Sequence, residues 1–138
     1  AWNPALVHLA AMNGATLLSV PISSSIDAVD GEFSNPNGWD LAVRFYAMMY
    51  GMPVVMTNRV GDEGVNRFWG GSAIIDAHGR VLQQAGDQPE LLIAELDYHQ
   101  VREARFHLPT VRDSNFALIQ REVNRLSEVL GVPDSVRE

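Results

Sequence analysis

The 138-residue chain is 46% hydrophobic and 20% charged, and its formal net charge is −7. This size and composition predict one domain with a real hydrophobic core. The acidic balance argues against nucleic acid and anionic membrane surfaces as partners, because binding to phosphates needs a clustered excess of basic side chains. The chain has no cysteine, and all ten of its basic residues are arginine. Any mechanism that needs a thiolate or a lysine amine must therefore take it from outside this chain.

No apolar run approaches the roughly 20 residues that a bilayer span requires. The N-terminus also lacks a basic-then-apolar signal pattern, so we expect a cytoplasmic protein. Asn3-Pro4, near the start of the chain, has the pattern of a helix cap followed by proline at the first helical position. A chain that opens so close to a helix start is expected to be a fragment.

The first half of the chain is predicted to alternate between helices and short strands. Residues 4–13 predict a well-buried helix, and residues 16–21 a strand buried on both faces. A mostly polar loop over 22–38 is long enough to be functional or mobile. A helix over 39–50 with two apolar stripes, both expected to be buried, then precedes a second buried strand over 53–58. The order helix, strand, helix, strand favours an α/β fold with parallel strand pairing.

The stretch 58–79 is predicted to be a loop with an unusual composition. Its part before the apolar run at 73–75 contains four charged side chains, the aromatic pair Phe68-Trp69, and glycines at 61, 64, 70 and 71. Such glycines indicate positive φ or a close backbone approach. Because two large aromatic rings are costly to leave in water, we expect this loop to fold back over the core or over a ligand pocket.

Further strands are predicted over 72–77, 81–85 and 91–97, the first two as a hairpin. Three side chains near the end of the third strand alternate in sequence and would share one face, as in a metal cluster; they are Glu95, Asp97 and His99. A solvated strand edge is the alternative interpretation, and we favour it.

Two helices are predicted near the C-terminus. One spans 98–106, and a terminal helix spans 114–130 behind Ser114 as its cap. The terminal helix has apolar side chains at steps of three and four residues, and its other face is polar. This narrow stripe is expected to pack on its own domain or to contribute to a subunit contact.

Self-contained catalytic motifs are missing. Gly70-Gly71-Ser72 lacks the spacing of a nucleophile elbow. Gly61-Asp62-Glu63-Gly64 has neither the length nor the lysine of a phosphate-binding loop. His8 lies on the first helix, where a hydrogen-bonded core or interface histidine is favoured over a catalytic base.

Several motifs that are weak alone occur in one specific order along the chain. They are Trp2-Asn3-Pro4 at a helix start, Gly14-Ala15-Thr16-Leu17-Leu18 before a strand that ends at Pro21, a Trp39 helix that carries Arg44, Asn58-Arg59-Val60-Gly61 with Glu63, Phe68-x-Gly70-x-Ser72, Asp76-x-x-Gly79, and Arg105-x-x-x-Pro109 followed by Arg112-Asp113. Taken together, they resemble the C-terminal half of the carbon-nitrogen hydrolase, or nitrilase, superfamily.

This resemblance implies an α/β fold of the α-β-β-α sandwich type, of which residues 1–138 form the C-terminal part of a single domain. It implies a homo-oligomer and a Glu-Lys-Cys site without a metal or an organic cofactor. In such a site cysteine attacks an amide or nitrile carbon, glutamate shuttles protons and lysine helps to hold the oxyanion. The family spacing places the cysteine about three residues before Ala1, and the glutamate and lysine in the N-terminal half of the same enzyme. The family often has Phe-Pro-Glu where this chain has Asn3-Pro4-Ala5, which leaves the subfamily open.

The resemblance also assigns roles to residues of this chain, none of them catalytic or metal-binding. In the family, the loop after the first strand borders the pocket, so the predicted substrate-binding residues are Ile22, Ser23, Ser24, Ser25 and Trp69. Serines that serve only as turn residues are the alternative. The residues predicted to brace the 58–79 loop are Asn58, Glu63 and Phe68.

The function predicted from the sequence is that of a fragment of a hydrolase. The full-length enzyme is expected to cleave non-peptide carbon-nitrogen bonds in a small-molecule amide, carbamoyl-amide or nitrile, and this chain alone is expected to be inactive. One alternative is a catalytically empty nitrilase-like module used for interaction or assembly. Another is an unrelated α/β ligand-binding domain.

Overall fold

The computed structural model describes residues 1–29 and 31–131. Its elements, in chain order, are α1 (Pro4–Met12), β1 (Leu18–Pro21), a 3₁₀ turn (Ile26–Ala28), α2 (Asn35–Tyr50), β2 (Val54–Thr57), β3 (Val60–Glu63), β4 (Asn66–Trp69), β5 (Ala73–Ile75), β6 (Val81–Gln84), α3 (His99–His107) and α4 (Phe116–Leu130). Within the described ranges, no helix combines the length and the apolar character needed to cross a bilayer.

A four-stranded sheet with the strand order β1-β2-β5-β6 forms the centre of the fold. β1 and β2 run parallel, with Leu18 opposite Val54. β5 runs antiparallel to β2, and β6 runs antiparallel to β5. The predicted α/β class, the parallel pairing of the first two strands and the hairpin over 72–77 and 81–85 are therefore confirmed.

Helix α2 connects the two parallel strands and closes the main core over the sheet. One of its two apolar stripes is buried, with Trp39 4% exposed and Val43 1% exposed. These side chains pack in one cluster with Val54 and Ile75, which are fully buried. Burying a side chain of this size contributes about 1.5–3 kcal/mol, so the buried stripe fixes how α2 lies on the sheet.

Three surfaces are more open than the sequence patterns predict. The second stripe of α2 is exposed, with Leu41 at 69% and Phe45 at 45%, and Leu6 on α1 is 62% exposed. Ser19 and Pro21 of β1 are exposed as well. The predictions of full burial for α1, for both stripes of α2 and for both faces of β1 were therefore wrong. An apolar pattern shows which side chains favour burial, but it does not show that the residues that bury them belong to the described chain.

The segment 58–79, predicted to be a loop, contains a second sheet. β3 and β4 pair antiparallel, with Val60 opposite Trp69 and Glu63 opposite Asn66. Their two-residue turn begins at Gly64, whose φ is +59°, as the favoured two-residue hairpin turns require. The sequence analysis missed this hairpin because its strands are short and mostly polar, without the apolar alternation that marks a strand.

Two glycines after β4 allow a close backbone approach. Gly70 and Gly71 both have a φ of +66°, and a Cβ on Gly70 would lie 2.3 Å from the carbonyl oxygen of Gly86. A Cβ on Gly71 would lie 2.2 Å from the indole ring of Trp69. The Trp69 ring therefore lies so close to the backbone of Gly71 that any side chain at position 71 would collide with it.

The strand predicted over 91–97 was wrong, although all of these residues are described. Exposure alternates along 91–96 between half-buried and exposed residues, as it would in a strand, and Leu91 is 83% exposed. No neighbouring strand pairs with the segment in the described part of the chain. The side-chain pattern of a strand is thus present, but the hydrogen-bonded ladder that defines a strand is not.

Helix α3 confirms the predicted helix over 98–106, displaced by one residue, and Arg105 fixes its position. The Arg105 Nε donates to the carbonyl oxygen of Tyr50 at 3.1 Å, and its Nη2 donates to the carbonyl oxygen of Ala15 at 2.6 Å. Desolvation by burial lowers the pKa of Arg105 from its ordinary value. A cation on the carbonyl oxygen of Tyr50, the last residue of α2, is favourable because the helix dipole is negative at that end.

Helix α4 lies within the range 114–130 predicted to be helical, but its cap and its surroundings differ from the prediction. Asn115 is the cap, since its Oδ1 accepts a hydrogen bond from the Leu118 N–H at 3.1 Å. Ser114 Oγ instead lies 3.3 Å from Nε2 of His8. The described structure buries none of the side chains of α4, and its exposed apolar stripe consists of Phe116, Ile119, Val123, Leu126 and Leu130.

We expect Gly70→Ala to lower the free energy of unfolding of the protein that contains this chain by about 3 kcal/mol, because the methyl group would collide with a backbone carbonyl at a residue with positive φ. Gly64→Ala is the matched control. It also has positive φ, but open space surrounds its Cβ position, so only about 1–2 kcal/mol should be lost. Urea unfolding measures both values, and equal losses would contradict the role of close packing.

Candidate functional site

A cavity of about 330 Å³ lies next to the carboxyl end of β1, and we call it the Trp2 cavity. The start of the chain, the segment that follows β1 and the first turns of α2 line it, through Trp2, Ile22, Ser23, Ser24, Ala28, Val29, Asn35 and Trp39. Ligands of α/β folds commonly bind outside the carboxyl ends of parallel strands. Position and lining together make this cavity the candidate functional site.

The side chain of Asn58 holds the backbone of Ser24 at the edge of the cavity. The Ser24 N–H donates to Asn58 Oδ1 at 2.9 Å, and Asn58 Nδ2 donates to the Ser24 carbonyl oxygen at 3.2 Å. The Asn58 N–H donates to Ser72 Oγ at 2.9 Å. Because an amide side chain both accepts and donates, it can satisfy both main-chain groups of Ser24 at once. Asn58 follows β2, so these bonds connect the carboxyl ends of the two parallel strands.

Ser25 is held from two further directions. Its carbonyl oxygen accepts a hydrogen bond from Asn35 Nδ2 at 2.8 Å, and its backbone forms an antiparallel bridge with Phe68 of β4. Ser25 and Asn35 are only 5% and 3% exposed. The segment 22–25 is therefore fastened to β2, to β4 and to the first turn of α2.

An aromatic cluster forms one wall of the cavity. The Trp39 indole Nε1 donates to Ser24 Oγ at 3.2 Å. The ring centres of Trp2 and Trp39 are 4.4 Å apart, and those of Trp2 and Phe33 are 5.9 Å apart. Trp2 and Phe33 are about half exposed, at 50% and 47%. The cluster therefore presents aromatic surface beside the cavity opening.

The start of the chain is anchored on α2. The Tyr46 hydroxyl donates to the carbonyl oxygen of Ala1 at 2.8 Å. Burial raises the pKa of Tyr46 above its ordinary value, so the range of pH in which the phenol can donate this bond extends upward. The bond holds Ala1, and with it Trp2, against the helix that also carries Trp39.

Residues 1–106 match the family model named carbon-nitrogen hydrolase. The chain belongs to the carbon-nitrogen hydrolase family. A carbon-nitrogen hydrolase of Helicobacter pylori G27 has a similar structure, with a TM-score of 0.77 and 29% sequence identity over 88% of this chain and 45% of that one. The fold is therefore part of a nitrilase-type α-β-β-α sandwich, as the sequence motifs predicted.

Curated relatives of the chain include an N-carbamoylputrescine amidase from Oryza sativa subsp. japonica, which is 26% identical over 121 residues. A probable nitrilase from Schizosaccharomyces pombe is 32% identical over 91 residues. These alignments cover 81% and 66% of this chain. The chain spans 40% of the length of the first relative and 31% of the second.

The predicted substrate-binding residues of the chain do not all line one cavity. Ile22, Ser23 and Ser24 line the Trp2 cavity. The backbone of Ser25 instead accepts a hydrogen bond from Asn35 of α2 and forms a bridge with Phe68 of β4. Trp69 lines a separate cavity of about 420 Å³, together with Asp40 and Arg44 of α2 among others. Its indole Nε1 is buried and has no hydrogen-bond partner among the described residues.

None of the three residues predicted to brace the 58–79 segment lines the Trp2 cavity, and only Asn58 contacts a lining residue through its side-chain hydrogen bonds. Glu63 forms an exposed ion pair with Arg59, and such pairs contribute roughly 0–1 kcal/mol. The Arg59 guanidinium carbon lies 4.5 Å above the centre of the Phe68 ring. Both contacts stay within the hairpin region, and the backbone of Phe68 forms the bridge to Ser25.

A metal centre finds no support in the described part of the chain. Nowhere in that part do three or more His, Cys, Asp or Glu side chains form a group that could hold a metal ion. The possible cluster of Glu95, Asp97 and His99 does not form. Asp97 Oδ1 instead accepts a hydrogen bond from the backbone N–H of His99 at 2.8 Å, next to the start of α3.

The sequence analysis did not assign Trp2, Asn35 or Trp39 to the site. In the sequence analysis, Trp2 and Trp39 were parts of family motifs, and Trp39 was also an apolar position of the predicted helix. Asn35 lay in the predicted loop over 22–38. One signal was present, because a buried tryptophan usually needs a partner for its N–H and the serines before α2 offer acceptors. Contacts of this kind join segments far apart in sequence, so local patterns did not reveal them.

We expect Asn58→Ala to destabilise the full-length protein by about 1–3 kcal/mol, because the partly buried N–H of Ser24 would lose its acceptor. Hydrogen exchange measured by mass spectrometry should also become faster over residues 22–25. Asn66→Ala, at an exposed position in β4, is the control and should change stability by no more than about 0.5 kcal/mol. Unchanged exchange over 22–25 in Asn58→Ala would refute the bracing role.

Proposed function

We propose that this chain is part of a hydrolase of non-peptide carbon-nitrogen bonds that acts on amide, carbamoyl-amide or nitrile groups of small molecules. Family membership supports the reaction class, and the position of the Trp2 cavity supports the site. The proposed cysteine lies about three residues before Ala1, four residue steps from Trp2. Four steps of extended chain cover at most about 14 Å, so the nucleophile lies close to the cavity.

The proposed reaction proceeds through an acyl-enzyme. The cysteine thiolate attacks the amide carbon, and the tetrahedral intermediate expels ammonia once the leaving nitrogen has been protonated. Water then attacks the thioester, the thiolate leaves, and a carboxylic acid is released. We place the glutamate that moves the protons and the lysine that stabilises the oxyanion in the N-terminal half of the enzyme, and the proposal uses no metal or organic cofactor.

This chain contributes the substrate-binding side of the site. Trp39 donates its N–H to Ser24 Oγ, so the Ser24 O–H is left to donate, and no acceptor for it lies in the described residues. We assign this hydroxyl and that of Ser23 to the polar end of the substrate, with Ile22 as an apolar wall. Ser25 then positions the segment through Asn35.

The proposal is tested on the coding sequence upstream of Ala1 and on the protein it encodes. We expect a cysteine about three residues before Ala1, and ammonia release from at least one class among amides, ureido compounds and nitriles. Cys→Ser should lower kcat by about 10³-fold or more. The 138-residue chain alone, which has no Cys and no Lys, should release no ammonia above background. A full-length protein that is inactive on all three classes would overturn the proposal.

A second candidate function, an assembly module, is supported by the exposed apolar stripe of α4. We propose that this stripe contacts a further copy of the chain in a homo-oligomer. Val123 lies in the middle of the stripe and is 54% exposed. Val123→Glu should therefore shift the protein toward smaller oligomers, because a carboxylate is costly to bury in a contact between copies. Asn124→Glu adds the same charge outside the stripe and is the control. Sedimentation velocity that shows no difference between the two variants would rule out a contact through this stripe.

A further inference from the structure

The segment 91–97 has the side-chain pattern of a strand, and its backbone lacks a partner in the described part of the chain. Leu92, Ala94 and Leu96 are half-buried, and the residues between them are exposed. No main-chain N–H or C=O group of residues 91–96 forms a hydrogen bond with another described residue. Main-chain groups that are partly removed from water need such partners. The segment is therefore in a state to pair with a neighbouring strand.

The first half of this segment is also too apolar for an exposed edge. It reads Leu-Leu-Ile-Ala, and Leu91 and Ile93 are 83% and 76% exposed. Proteins usually protect an exposed edge with a charge or a proline, because an apolar edge pairs with other chains. Neither occurs from residue 91 to residue 94. At the opposite edge of the sheet, β1 ends in Pro21, which cannot donate to a further strand.

Strand β6 is a second unprotected edge on the same side of the fold. It is the last strand of the sheet, and all four of its residues are exposed. Its sequence, Val-Leu-Gln-Gln, contains neither charge nor proline. Val81 and Leu82 border a cavity of about 460 Å³ together with Glu95, Leu96 and Asp97. The described residues therefore leave unfilled space that adjoins both β6 and the segment 91–97.

A second copy of this chain is a poor occupant of that space. In a two-fold antiparallel pairing of two segments over their full length, the centre would lie at Ala94. Leu91 would then stand opposite Asp97, and Ile93 opposite Glu95. Pairs of an apolar side chain and a carboxylate gain little from each other, because the carboxylate loses water without a hydrogen-bond partner.

The similar proteins are long enough to supply a different occupant. The alignments cover 40% of the Oryza sativa amidase and 45% of the Helicobacter pylori hydrolase. More than half of each of those proteins thus lies outside the part that this chain matches. In the two-part enzyme proposed for this chain, the N-terminal half is the corresponding source of further strands.

We infer, resting on the proposal that this chain is part of a longer hydrolase, that residues 91–97 bind an extended strand from the N-terminal half of the same enzyme. Main-chain hydrogen bonds to that strand convert residues 91–97 into a strand, as in recognition by strand addition. Apolar side chains of the N-terminal half cover Leu91 and Ile93. The partner strand has no proline at its paired positions, because each must donate or leave room for a hydrogen bond. This surface is separate from the Trp2 cavity.

Hydrogen exchange of the full-length protein, resolved to single amides, tests the pairing. A neighbouring strand receives hydrogen bonds from every second residue along the edge that it joins. The odd-numbered or the even-numbered amides of residues 91–96 should therefore exchange about 100-fold more slowly than those of Gln88 and Glu90 in the preceding exposed loop. Exchange of all six amides at the rate of that loop would overturn the inference.

A photochemical cross-link identifies the occupant. Ile93 is replaced by p-benzoylphenylalanine in the full-length protein, and the linked peptides are identified by mass spectrometry after irradiation. The main product should join position 93 to residues encoded upstream of Ala1 in the same polypeptide. Val65, 92% exposed in the turn between β3 and β4, carries the same group in the control variant and should give much less of such a product.

Three cross-linking results would overturn the inference: a link to a second copy, a link to residues 132–138, and equal yields from positions 93 and 65. Assays of ammonia release keep these results apart from the proposed reaction. If residues 91–96 are protected and linked to upstream residues in a protein that hydrolyses no amide, ureido compound or nitrile, the reaction is wrong and the surface stands. If the protein hydrolyses these compounds while the segment is unprotected, the reaction stands and the inference is wrong.

Discussion

The paired hydrogen bonds between Asn58 and Ser24 are the contact on which the candidate site depends. They tie the segment after β1 to the segment after β2, where the sheet itself no longer supplies a ladder. With Ser24 fixed, its hydroxyl oxygen lies where Trp39 can donate to it, and Trp2 packs on Trp39 in turn. A polar interaction between two chain segments thus sets the position of an aromatic wall that neither segment contains.

Much of the fold follows from local patterns. The buried stripe of α2 begins with Trp39 and Val43 at helical spacing, and the Gly and Pro residues beside β1 and β2 mark short strands, so their order in the chain indicates parallel pairing. The hairpin of β3 and β4 lacked such a pattern. The segment 91–97 failed in the opposite way, because it has the alternation of a strand and no partner strand in the described structure. Pairing depends on a neighbour, which local sequence does not specify.

The site was less predictable than the fold. Family motifs pointed to Ile22, Ser23 and Ser24, which do line one cavity, but they also grouped Trp69 with them. Trp69 lies instead beside Asp40 and Arg44, on another flank of α2. Motifs preserve the order of residues along the chain, whereas a cavity depends on the direction in which each element presents its side chains. That direction becomes known only when the packing of α2 on the sheet is known.

The bond from Tyr46 to the carbonyl oxygen of Ala1 bears on how a nucleophile just upstream would be held. A residue three positions from an anchored carbonyl explores a much smaller volume than one on a free tail. The entropy of placing it beside the cavity is then lost during folding and not in each catalytic cycle. In the proposed enzyme, Tyr46 of α2 would thereby raise the effective molarity of the cysteine thiolate without contacting it.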